Sequence, residues 1–173
     1  MNEKIALLGI VEIFSALSCG IVILYTTYKI MKIYSKKQLA LDHNNLAYNI
    51  LIAGVMLAVG IIVSGVIQPI LDAFRILSGT NISTTQLIFS FLGYGGLYIL
   101  IAYVSALLVL FIGVTIYSNM TSVSELKELK ENNIGVAIVL SAIIITLSLM
   151  SNDGIILLIE SLIPYPNFPP KIG

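Results

Sequence analysis

Four long apolar runs divide the chain, at 5–28, 46–68, 93–117 and 134–150, with short polar stretches between them. Each approaches the ~20 residues that carry an α-helix across a ~30 Å hydrocarbon core. The pattern predicts four transmembrane helices. The fourth run is the shortest and borrows length from the residues after 150. The third sits in a longer apolar stretch, 87–117, which overshoots the bilayer at ~1.5 Å per helical residue. "GYGG" at 93–96 is the expected break, with 87–92 outside the core or bent over it. In the first run Lys4 alone charges the start, Glu12 interrupts, and the apolar stretch continues past Cys19. A retained span is expected there, not a cleaved signal.

The second and fourth runs open alike, "HNNLAYNILIAG" at 43–54 and "ENNIGVAIVLSA" at 131–142. A shift of 88 residues lays Asn44–Asn45 on Asn132–Asn133, the first span on the third, and Asp72 on Glu160. Upstream, Ser35-x-x-Gln38 and Ser122-x-x-Glu125 both read as capping boxes. The expected architecture is all-α and integral to the membrane, with four transmembrane helices from two tandem parallel two-helix repeats. Repeat A covers 1–79, repeat B covers 80–163, and a Pro-rich tail covers 164–173. Two spans per unit give both copies one orientation, so a pseudo-twofold axis is expected along the membrane normal. An asparagine at such a threshold can satisfy a backbone group, tolerate a bend, or hydrogen-bond the neighbouring repeat.

Small residues fall on two faces of the second span. Asn49, Ala53, Gly60 and Ser64 mark one, and Ala47, Gly54, Ala58 and Gly65 the other. In the fourth span the equivalents are Ala137, Ser141, Ser148 and Asn152, then Gly135, Ala142 and Thr146. Lipid does not require small residues, whereas close helix contact does. Spans two and four are therefore expected to be central and packed on both sides, with one and three peripheral. Bulky residues at Gly54 or Ala58 are expected to disrupt oligomers.

Composition sharpens this. The chain is 58% hydrophobic and 10% charged, with a mean hydropathy of +1.01. A soluble domain carries about a quarter charged residues. Net charge is zero, which gives no field for nucleic acid. The single cysteine permits no intrachain disulfide, and the lone His43 makes no metal site. Lys29, Lys32, Lys36 and Lys37 follow the first span, and Lys127 and Lys130 follow the third. The opposite side holds Lys4, Arg75 and Lys171. This bias places loops 29–45 and 118–133 in the cytoplasm and both termini outside. Tyr25, Tyr28, Tyr34, Tyr48 and Tyr117 then form an inner aromatic belt. The lysines are orientation charges that also suit anionic lipid.

With "NN" just before an Ala/Gly/Ser-rich second helix in each two-span unit, the chain resembles the YjfL-like bacterial membrane proteins, domain of unknown function 350. The stretches that carry the likeness are "YSKKQLALDHNNLAYNILIAGVMLAVG" and "YSNMTSVSELKELKENNIGVAIVLSAI". The resemblance implies a four-span bacterial inner-membrane protein built from two copies, and it brings no activity and no catalytic residues. The longer outer segment near 70–92 and the tail "PYPNFPPKIG" depart from the pattern.

Candidate chemistry is sparse. Glu12 lies inside the first span, and Tyr94 and Tyr98 lie at similar depth. An intramembrane carboxylate is a functional hypothesis by default. Glu12 with Tyr98 reads as an ion or proton site; the other reading is a carboxylate in an outer vestibule or hydrogen-bonded to tyrosine. No phosphate loop, nucleophile elbow, HExxH or CxxC is present, so neither enzyme activity nor a cofactor is expected. The expected function is a helical membrane module that assembles with itself or a membrane-protein partner among lipids. The alternative is a channel or transporter subunit using Glu12 and the Asn49/Ser64 face.

Overall fold

The computed structural model describes residues 3–36, 45–78, 84–120 and 124–163. Among these residues the fold is all helical: α1 (Glu3–Tyr34), α2 (Leu46–Ser64), α3 (Ile67–Ser78), α4 (Thr84–Met120), α5 (Glu125–Lys130) and α6 (Ile134–Glu160). Four segments are long and apolar enough to cross a bilayer: Ala16–Tyr34, Leu46–Leu77, Leu92–Met120 and Ile134–Glu160. The chain is a multi-pass membrane protein. Its large exposed side chains, such as Phe14, Ile21, Leu100, Phe111 and Met150, are those of a lipid-facing surface.

Helix boundaries follow local chemistry. α2 and α3 are nearly continuous, parted only by a turn at Gly65 and Val66. Pro69 explains the turn, because it removes the N–H that would bond to the carbonyl of residue 65 and its ring crowds that carbonyl. In α6 the residue 88 positions on is Leu157, and the helix runs unbroken to Glu160. The fourth span is therefore 27 residues long, not the short run that hydropathy marks.

The expected break at "GYGG" does not occur. α4 is a single helix of 37 residues, and none of its glycines has positive φ. A glycine inside a helix costs only about 1 kcal/mol against alanine, and packing outweighs it. Gly95 is buried where α4 meets α3, with Ile70 in ordinary contact range of the position a Cβ would take. Gly93 and Gly96 face open space. The capping boxes fare no better. Ser35 lies beyond the end of α1 and its hydroxyl donates to the Lys32 carbonyl. α5 begins after Ser124, which makes no side-chain cap bond; Gln38 and Ser122 lie outside the described residues.

α2 is the central helix and packs on α1, α4 and α6, with its longest contact along α6. Its buried side chains Val55, Val59 and Ile62, with Val66 of the following turn, join Tyr98, Ala102 and Ala106 of α4 and Leu140 and Ile144 of α6 in one core. α6 is buried on one side only, so the expectation of two packed sides holds for neither face of Gly135, Ala142 and Thr146, all exposed. α1 is the most peripheral span.

Candidate functional site

The paired asparagines sit where the chain enters α2 and α6. Asn45 has extended backbone (φ −70°, ψ 103°), and its Oδ1 accepts the Tyr48 N–H at 2.7 Å. Asn133 repeats this almost to the degree (φ −73°, ψ 98°) and accepts from the Val136 N–H at 3.3 Å. Each fills a helix N-cap, supplying an acceptor to a first-turn donor that has no intrahelical partner.

The remaining amide groups tie the two helix starts together. Asn45 Nδ2 donates 2.7 Å to the Leu129 carbonyl at the end of α5. Asn132 Oδ1 accepts the Ala47 N–H of α2 at 2.9 Å. Asn132 stands at φ 60°, the left-handed region that asparagine tolerates better than most residues. Asn133 Nδ2 donates to Glu128 Oε2 at 2.6 Å. Capping, bending and bonding to the other half are thus all present, divided among three residues. Asn44 lies outside the described residues.

Below this end the small residues let α2 and α6 approach. The helices run parallel. A Cβ on Gly54 would fall 2.5 Å from Ser141 Cβ, and one on Gly65 would fall 2.7 Å from Asn152 Oδ1. Ala47 and Ala58 are buried on the same side of α2, and Ala137, Ser141 and Ser148 on the facing side of α6. Ser148 Oγ and Asn152 Oδ1 are buried there without a hydrogen-bond partner among the described residues. The other face of α2 is open: Asn49, Ala53 and Ser64 are exposed, and a Cβ on Gly60 would meet nothing within 4 Å. Gly54 and Ala58 therefore serve contact within the chain, which corrects their expected place between chains.

A pseudo-twofold relation between the halves also fails. Under a twofold axis the Gly54–Ser141 contact requires an equal one between Ala142 and Ala53, and both of those are exposed.

The lysines lie at the asparagine end. Lys29 and Lys32 stand 6.0 and 5.4 Å over the rings of Tyr25 and Tyr28. Lys36 is exposed, and Lys37 lies outside the described residues. Tyr48, predicted as belt, does more: its hydroxyl donates 2.8 Å to the Met31 carbonyl and ties α2 to α1. The contact of Thr27 Oγ1 with Tyr103 Oη at 3.3 Å, between α1 and α4, had no sequence signal beyond polar residues inside apolar runs.

At the opposite end Tyr98 is wholly buried, and its hydroxyl donates to the Leu162 carbonyl at 3.4 Å. The side chain of Glu12 lies outside the described residues, so its pairing with Tyr98 does too. Among the described residues no three His, Cys, Asp or Glu side chains gather as metal ligands.

Residues 92–162 match the model of a family described as Domain of Unknown Function (DUF350). No curated protein and no solved structure matches the chain. The match begins where α4 becomes apolar enough to span and closes just after α6. Residues 92–162, which hold the third and fourth spans, are thus similar to the DUF350 family.

Proposed function

We propose that the protein is a self-assembling helical module of the bacterial inner membrane, made of two tandem copies of a two-span unit. One observation carries the assembly reading. α2 has two faces of small residues: Gly54 and Gly65 are closed against α6, whereas among the described residues Ala53 and Ser64 are exposed and Gly60 borders a groove toward α1. In lipid a small-residue face gains little by solvation and much by close helix contact.

Support for the tandem copies is local. The caps at Asn45 and Asn133 agree in backbone angles and in the bond to the third residue on. The DUF350 match, shifted back by 88 residues, falls on 4–74, which holds α1, α2 and most of α3. Orientation with the asparagine end in the cytoplasm is supported by the exposed lysines of α1 and α5 gathered there.

The test is energy transfer between differently labelled chains in proteoliposomes of phosphatidylethanolamine and phosphatidylglycerol. Transfer that persists as the protein is diluted in lipid is the expected result, and transfer that falls to the random-encounter level refutes assembly.

A further inference from the structure

Resting on that self-assembly reading, we infer that a second copy of this chain docks its α6 on the open face of α2, head to tail, repeating the contact that α2 and α6 make within one chain. Within the chain Gly54 meets Ser141, and Gly65 meets Asn152. Moving each residue by 88 gives the counterpart pairs Ala142 with Ala53 and Asp153 with Ser64. All four counterparts are exposed in the single chain. One end of a heterologous contact is therefore used by each unit and the complementary end is left over on both helices, which is the condition for growth by a further copy.

The leftover faces fit each other chemically. Ala53 and Ala142 both carry a Cβ where the internal pair has a glycine, so the helices must stand about 1 Å further apart, still close packing for small residues. Asp153 comes opposite Ser64, whose hydroxyl donates 2.8 Å to the Ile61 carbonyl in the single chain and would turn from it to reach the carboxylate. The helix starts point the same way. Within the chain Asn132 Oδ1 accepts the Ala47 N–H. The counterpart of Ala47 is Gly135, which is exposed at the start of α6. The counterpart of Asn132 in the sequence is again asparagine, at 44.

Geometry limits the number of copies. The used and open contacts of α2 centre on neighbouring residues, 54 and 53, then 65 and 64. Neighbours on a helix are about 100° apart. Two chains close a ring of four such helices at roughly 90°, and three chains close six at roughly 120°. Two copies are the nearer fit. Ile50, Leu57, Ile138 and Leu149 would then fill the axis, with α1 and α4 on the outside.

The experiment uses oxidative cross-linking of full-length chains in membranes, in a Cys19→Ala background, with Ala53→Cys and Ala142→Cys carried on separate, differently tagged chains. Expected is a disulfide-linked species containing both tags, reached in high yield only when the two variants are co-expressed. Efficient cross-linking of the Ala53→Cys chain to itself would overturn the head-to-tail contact in favour of a symmetric one. Absence of any cross-link, with energy transfer between chains intact, would overturn this interface while leaving self-assembly standing. Absence of both would overturn the self-assembly reading as well.

Discussion

Substituting Gly54 by alanine puts the close approach of α2 and α6 to a direct test. The new Cβ would lie 2.5 Å from Ser141 Cβ and 3.1 Å from Ser141 Cα. Non-bonded carbons settle at about 3.5–4.0 Å, so the helices must part by about 1 Å or more. The obstacle is a Cβ and the backbone behind it, which no rotamer change can move aside. Overpacking of this kind costs about 1–3 kcal/mol. The better helix propensity of alanine returns up to about 1 kcal/mol. A net loss of about 1–2 kcal/mol is expected, a factor of about 5–30 in the folding equilibrium. Removing the obstacle should restore most of it, so Gly54→Ala with Ser141→Gly should show a favourable coupling of at least about 1 kcal/mol. Reversible unfolding in mixed micelles measures all three variants. Gly93→Ala is the control, because a Cβ there meets nothing within 4 Å and α4 is unbroken through it. The reasoning is refuted if Gly54→Ala is as mild as Gly93→Ala, or if the effects of the two substitutions simply add.

The caps give graded expectations by the same assay. Asn45→Ala removes both a cap and the bond to the Leu129 carbonyl, which keeps the Asn132 N–H as a partner, so about 2 kcal/mol should be lost. Asn133→Ala removes a longer cap bond at an exposed site, and about 1 kcal/mol is expected; equal losses at the two sites would contradict the division of tasks between them. At Asn132, φ 60° makes alanine costlier than glycine by about 1 kcal/mol, although both lose the acceptor for the Ala47 N–H. Indistinguishable glycine and alanine variants there would argue against the left-handed turn.

Much of the fold was legible because a bilayer imposes its own period. Four apolar runs had to be four helices, and the asparagine pairs marked two of their starts correctly. What failed was finer. "GYGG" looked like a break because glycine is a poor helix former, yet α3 lies against Gly95 and the small cost is absorbed by packing. Ser122-x-x-Glu125 matched a capping pattern, yet the helix there starts after Ser124. The site was half legible. Periodicity named both small faces of α2, but a face does not announce its partner, so Gly54 and Ala58 were expected between chains and lie within one. Only coordinates could show that counterparts 88 residues apart avoid each other, since a twofold and a head-to-tail arrangement share the same sequence repeat.

The central claim is that the open face of α2 is an assembly surface. Native mass spectrometry from lipid nanodiscs, with bound lipids retained, counts the copies directly. The account predicts two or three chains per complex for the native sequence and a single chain for Ala53→Leu, which puts bulk on the open face without touching the closed one. A native protein that is monomeric in lipid, or an Ala53→Leu variant that assembles unchanged, would contradict it.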